Sequence, residues 1–563
     1  MNGKTLAVLA AATLIVAGAP ALLFRETAKQ AGLEAKLVSG SPDKHYIVES
    51  MTGGVAILDY NNDGWPDIYL VNGSTLDAER AGNNTAEDHL YRNNRDGTFT
   101  DVTHEAGLGD RRWTMGVAVA DVNNDGFDDI YITNYGKNRL YLNNGDGTFR
   151  DFSRESGTEL GGWSSGAAFA DFDGDGLVDL YVGRYLDVDI LNLPREGLLC
   201  RYRDIPVQCG PRGLKPSTGH LFRNMGGGHF QDVTAASGIG SVQPSYGLGA
   251  VWGDLDNDGK PDLFVANDSL PNYLFHNDGK GRFTESALDA GVALRDDGRE
   301  QAGMGVDIGD YDNDGNMDIV LTTFSDDYKT LFHNDGTGHF ADVSYAAGLV
   351  QPTWNLLGWG VQFADMDNDG YPDIVMANGH VYPEVDQHEF GTKYKQHPSV
   401  FLNLRNGRFK DVGSSWGPAF QLAESSRGLA AGSLSNNGSI DLVISNLDAT
   451  PWIVKNPGRG GNWLLLRLRG TISNRDAIGA RVTARTGQLT QTREVKSGGS
   501  YQSQNDFRLH FGLGTAATVD EIKIRWPSGQ KQVLKNVKGN QILTVEEPTE
   551  NKVTGLSANR RPF

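Results

Sequence analysis

Nine-residue acidic stretches recur along this chain, among them DYNNDGWPD from Asp59 and DMDNDGYPD from Asp365. Each puts oxygen-bearing side chains at positions one, three, five and nine and glycine at position six. The sets are Asp59, Asn61, Asp63 and Asp67; Asp121, Asn123, Asp125 and Asp129; and Asp171, Asp173, Asp175 and Asp179. Further on come Asp254, Asp256, Asp258 and Asp262; Asp310, Asp312, Asp314 and Asp318; and Asp365, Asp367, Asp369 and Asp373. Alternating side chains of a tight loop converge on one point, and glycine admits the sharp turn. Such a cage of hard oxygens suits Ca²⁺ better than Mg²⁺, which holds its water, or a transition ion, which prefers softer ligands. An EF-hand loop begins alike but closes on a bidentate Glu at position twelve. Position twelve here is Leu70, Ile132, Val182, Val265, Leu321 or Met376, apolar each time. Structural Ca²⁺ at these six loops is therefore expected, without EF-hand helices. A seventh copy, SLSNNGSID from Ser433, has Ser433, Ser435 and Asn437 where carboxylates stood, and is expected to lack a metal.

The elements that must hold these loops are strands. Glycine precedes every copy by five residues, from Gly54 to Gly428, and a short apolar run separates glycine from loop. A second apolar run follows, such as DIYLVN or DIVMAN, and then in most units a hairpin of the LYLNNGDGTFRDF type. Asn, Asp and Gly tolerate positive φ and make such turns. Four strands per unit, repeated seven times at intervals of fifty residues or more, predict an all-β chain with a seven-bladed β-propeller. The last unit lacks its outer strand, while FRETAKQAGL (24–33) aligns with FTDVTHEAGL (99–108). The N-terminal segment is thus expected to complete blade seven. These units resemble the calcium-binding FG-GAP or VCBS repeats of the integrin α-subunit propeller, a likeness that implies fold and calcium and says little about function.

Past residue 458 the periodicity stops. SNRDAIGARV, SGGSYQSQNDFRLHFGLG and VDEIKIRWPSG resemble the ASPIC/UnbV domain, and the whole arrangement resembles the cartilage acidic protein family. The expected division is a signal peptide at 1–21, the propeller at 22–458, a small β-sandwich-like ASPIC/UnbV domain at 459–548 and a tail at 549–563. The apolar N-terminus with small residues at Ala17, Ala19 and Ala21 reads as a secretory signal, so the protein is expected to be secreted or periplasmic. Retention of that segment as a membrane anchor stays open. In an exported chain the lone pair Cys200 and Cys209 is expected to form a disulfide. A net charge of −20 argues against nucleic acid and anionic membranes as partners, and no membrane span is expected after signal cleavage.

Function is read less directly. Insertions at roughly 186–219 and 381–398 fall on the propeller face opposite the acidic loops and mark a working face. Trp113, Trp163, Tyr246 and Trp354, with Asn72, Asn134, Asn267, Asn378 and Asn446, could form a rim for glycan or an extracellular or periplasmic protein; packing and strand capping are the alternative. His380, Asp386, His388 and His397 are considered as transition-metal ligands, and Arg475, Asp476, Tyr501, Arg508 and His510 as a catalytic group. The leading expectation is a calcium-binding adhesion or binding module. The alternative is a carbohydrate-active enzyme of lyase or dehydratase type, whose site would draw on His380, Arg184 or Asp268 in one deep pocket. No P-loop, nucleophile elbow or H-E-x-x-H supports a particular chemistry.

Overall fold

A computed structural model describes residues 23–193, 199–458 and 460–549. The expected signal peptide and, but for residue 549, the expected tail lie outside the described residues. Among these residues, seven four-stranded antiparallel sheets follow one plan. The first runs Val55–Leu58, Asp67–Leu70, His89–Asn93 and Phe99–Asp101. In the last, Ser426–Gly432, Asp441–Asn446 and Trp452–Lys455 are joined by Arg25–Glu26 as the outer strand. There Arg25 pairs with Lys455 and Glu26 with Val454. First strands pack on one another in cyclic order, and the ring closes where Ser426–Gly432 meets Val55–Leu58.

That close approach explains the repeated glycine. A Cβ on Gly305 would lie 2.0 Å from Trp359 O of the next blade, and one on Gly428 2.1 Å from Gly53 O. Both are impossible contacts, so any side chain there would force neighbouring blades apart. Apolar side chains of adjacent sheets fill the space between blades, as Ala430, Val443 and Ile453 do against Val55, Ile57 and Ile68.

The C-terminal domain is a three-stranded sheet facing a four-stranded one. It sits on the propeller face that carries the acidic loops. Its core is continuous with blades two and three: Val122, Leu142 and Phe169 share one cluster with Leu466, Ile478 and Trp526. From it, residues 497–504 enter the propeller axis. Val306 N donates to Ser500 O (2.9 Å), Val117 N to Gln502 O (3.0 Å) and Ile57 N to Gln504 O (3.0 Å). The inner edges of the blades, otherwise rows of unpaired amides, are thus satisfied by this plug. Tyr501 is fully buried, donates to Met51 O at 2.8 Å and packs edge-on against Trp359.

The opposite mouth is covered by the hairpin Leu199–Tyr202 and Ile205–Gln208, in which Cys200 and Cys209 form a disulfide. Tyr202 packs among Phe324, His380, Tyr382 and Phe390. Among the described residues no helix is long and apolar enough to cross a membrane.

Candidate metal centres

Each acidic loop joins the first strand of a blade to the second. Position four takes a left-handed conformation, as at Asn62 (φ 54°) and Asn368 (φ 59°), which folds the loop back over its own start. Asp63 N then donates to Asp59 Oδ1 (2.9 Å) and Gly64 N to Asp59 Oδ2 (3.0 Å). Asp121, Asp171 and Asp365 are held by the same two positions of their own loops. The structure brings together Asp171, Asp173 and Asp179; Asp254, Asp256 and Asp258; and Asp310, Asp312 and Asp318, each offering ligand oxygens within 4.8 Å of one another.

Two observations test whether a cation fits. Buried carboxylate oxygens stand without a hydrogen bond, among them Asp67 Oδ2, Asp254 Oδ1 and Asp310 Oδ1. A buried, unsatisfied carboxylate oxygen is costly. Burial, with neighbouring carboxylates adding to it, also pushes the Asp121, Asp310 and Asp365 carboxyls up to about 7, and Asp262 to about 8. Such groups either keep a proton near neutrality or need a cation, and all-oxygen donors of this density fit Ca²⁺.

Residues that sequence reading passed over hold the loops in register. The asparagine ending the third strand, Asn93 in blade one and Asn277 in blade four, donates its backbone N–H to the position-nine aspartate in all seven blades, at 2.7–2.9 Å. Its side-chain amide reaches the position-two carbonyl of the preceding blade, as from Asn143 to Tyr60 O (2.7 Å) and from Asn93 to Leu434 O (2.9 Å). These asparagines are visible in the hairpin motif, where their turn chemistry accounted for them and hid this second role.

The residue just before that asparagine faces the loop. It is Arg92, Leu142, Arg223, His276, His333, Leu402 or Lys455. In blade three Arg223 Nε lies 2.6 Å from Asp173 Oδ2. In blade seven Lys455 Nζ lies 2.8 Å from the buried Asp441 Oδ2 and donates to Ser435 Oγ. An ammonium therefore bridges positions three and nine of the one loop whose carboxylates have been thinned out.

The C-terminal domain adds cations from above. Arg467 pairs with Asp59 (3.2 Å) and donates to Asn62 Oδ1 (2.9 Å). Arg525 pairs with Asp254, and Arg481 donates to Asp254 O at 2.7 Å. Residues considered catalytic belong to this seam instead. Asp476 accepts from Asp121 N (2.6 Å), Arg475 N donates to Asn124 Oδ1 (2.9 Å), Arg508 donates to Ser433 O (3.2 Å) and His510 Nε2 meets Gly438 O (3.0 Å). Tyr501 is the tip of the plug.

Of the two readings of the aromatics and asparagines, the structure favours packing and capping over a rim. Trp113, Trp163 and Tyr246 are buried in an apolar cluster beneath the hairpin, and only Trp354 is exposed. Asn134, Asn267, Asn378 and Asn446 are fully buried and donate to carbonyls of the connection that follows their strand, while Asn72 accepts from Val38 N. The set around His380 does not converge either. His380 is buried between Ser325 Oγ (3.0 Å) and Tyr382 N (3.1 Å), Asp386 accepts from Tyr394 N, and His388 stacks on Phe390. Asp268 is held by Tyr185 at 2.6 Å, and Arg184 donates to Gly161 O.

Comparison with known proteins agrees with this architecture. A profile for the FG-GAP-like repeat matches residues 59–132, 121–182, 213–265, 254–321 and 310–376, together just over half of the chain. A profile for ASPIC and UnbV matches residues 470–552. Cartilage acidic protein 1 of Homo sapiens is 27% identical over 326 residues, covering 56% of this chain and 46% of the human one. The Xenopus tropicalis protein of that name is 26% identical over 326 residues, covering 56% of this chain and 47% of its own. The match thus spans about half the length of these relatives. Among solved structures, an Agrocybe aegerita lectin recognising non-reducing terminal N-acetylglucosamine aligns at TM-score 0.38 and 16% identity, over 72% of this chain and 94% of its own. A Trypanosoma rangeli sialidase aligns at 0.34 and 10%, over 75% and 56%. The chain belongs to the family of FG-GAP-like repeat proteins and carries a C-terminal ASPIC and UnbV domain.

Proposed function

We propose that this protein is an exported binding module whose propeller is held together by divalent cations, chiefly Ca²⁺, in loops one to six. The ions are structural: they sit under the C-terminal domain, on the face that domain covers. The observation that carries this reading is the set of buried carboxylate oxygens without partners at Asp67, Asp254 and Asp310, each in a loop of the repeated ligand pattern. A disulfide suits an oxidising compartment.

Partner binding is assigned to the opposite face, around the disulfide hairpin. Tyr185 and Asp268 are buried there and bonded to each other, and His380 is buried against Ser325, so that face offers a capped surface more than a catalytic pocket. Two cavities, of about 170 and 130 Å³, lie at the seam with the C-terminal domain. A surface of this kind favours recognition of a glycan or a protein over turnover of a substrate. Screening the purified protein on a glycan array, with mass spectrometry of any released product, tests both halves. Bound glycan returned unchanged supports the module; cleaved sugar would replace it with the enzyme reading.

A further inference from the structure

Loops four and five differ from the other four in one donor. Where blades two and six have Leu142 and Leu402, blades four and five have His276 and His333. His276 Nδ1 lies 3.1 Å from Asp256 Oδ2 and 3.3 Å from Asp262 Oδ1. His333 Nδ1 lies 3.6 Å from Asp312 Oδ2 and 3.2 Å from Asp318 Oδ1. Asp256, Asp262 and His276 form one group with all ligand atoms within 4.8 Å, and Asp312, Asp314 and His333 form another. Both imidazoles address positions three and nine, the same two that Lys455 bridges in loop seven.

Acidic side chains alone would not single out a site. The same two loops also hold the buried carboxylate oxygens Asp254 Oδ1 and Asp310 Oδ1, neither of which has a hydrogen-bond partner. Asp254 is 5% exposed and Asp310 0%. Each loop therefore combines an unsatisfied inner oxygen with a nitrogen donor on its rim.

We propose that loops four and five are mixed nitrogen–oxygen sites that take a first-row divalent ion of the Zn²⁺ type in preference to Ca²⁺. Imidazole is a poor ligand for Ca²⁺ and a good one for Zn²⁺, which readily adds carboxylate oxygens. This rests on the reading that the acidic loops hold divalent cations, and it divides them into two classes. In the competing arrangement each histidine is an imidazolium, an ion-pair partner that a bound Ca²⁺ displaces.

The test uses the full-length protein, stripped by a chelator and re-equilibrated with equal low concentrations of Ca²⁺ and Zn²⁺. Metal content is then read by elemental analysis. About two Zn²⁺ and about four Ca²⁺ per chain are expected. Co²⁺ in place of Zn²⁺ should give visible absorption bands. The variant H276L/H333L copies blades two and six, so the repeat itself shows that leucine fits at this position. It should lose the Zn²⁺ and the Co²⁺ bands and take up Ca²⁺ instead. Ca²⁺ in every loop without Zn²⁺, or Zn²⁺ uptake untouched by the substitutions, overturns the assignment and leaves the calcium reading standing. Retention of no divalent metal at all removes both.

Discussion

Loops one to six and loop seven solve one electrostatic problem in opposite ways. The first six gather carboxylates, and loops one, four and five leave a buried oxygen unsatisfied at Asp67, Asp254 and Asp310, which on the proposed reading a cation from solution would satisfy. The seventh keeps a single buried carboxylate, Asp441, and neutralises it with Lys455 from its own sheet. Both devices occupy the same place between first and second strands, and both are latched by the same asparagine. The difference falls at the blade where the chain closes on itself, with Arg25–Glu26 as its outer strand. An ammonium carried on the chain is present as soon as the strand forms, whereas a metal must be captured. If the first six loops hold ions as proposed, closing the ring is independent of ion supply while the rest of the ring depends on it.

The largest expected effect is that of chelation. A site filled at a hundredfold excess over its Kd contributes about 2.7 kcal/mol, and several sites together outweigh any single substitution. Stripping the metal should lower Tm strongly, and re-addition should restore it; an unchanged melting curve would remove the contrast between the two kinds of loop. Next is Lys455→Met, which leaves Asp441 buried and unpaired at a cost of about 3 kcal/mol. Excess Ca²⁺ should not repair this loss, because Ser433, Ser435 and Asn437 are poor ligands. Rescue by Ca²⁺ in denaturant titrations would mean that loop seven still binds metal.

A third expectation concerns the far end of the axis, where no metal is involved. Burial, reinforced by Arg427, Arg203 and Lys329, pushes His380 down to about 3. The unfolded chain, with an ordinary histidine near 6.5, therefore binds more protons below that pH. Stability is fully present above about 6.5 and falls as the pH drops toward 3, by about 2 kcal/mol at pH 5. His380→Gln should flatten this slope, in the metal-loaded protein as in the stripped one. The smallest effect belongs to Arg95, an exposed residue 3.0 Å from Asp63. Arg95→Ala should cost less than about 1 kcal/mol, and only once metal is removed, since a bound cation takes over its role; an equal loss with and without metal would contradict that.

Much of this was legible in the residues. Asp, Asn and Gly at fixed offsets specify a loop through local hydrogen bonds. Short apolar runs bounded by glycine and an acidic turn specify strands, and repetition specifies a ring of sheets. The glycine five residues before each loop was visible too, though not its reason, the approach of the next blade's carbonyl at Gly305. The choice between an aromatic rim and interior packing stayed open because a tryptophan at the start of an inner strand has the same local sequence whether it faces solvent or, like Trp113, lies fully buried.

Residue order alone sets the repeat, its acidic loops and the pairing order of the first six blades, because those depend on contacts within one unit of the chain. Only the tertiary structure decided that the C-terminal domain would sit on the loop face, that residues 497–504 would fill the axis, and that Arg467, Arg481 and Arg525 would reach individual loops. Those partners lie hundreds of residues away in the chain. An arginine on a strand has no local signature of the carboxylate it will meet, and that choice is made when two surfaces of matching shape and opposite charge come together.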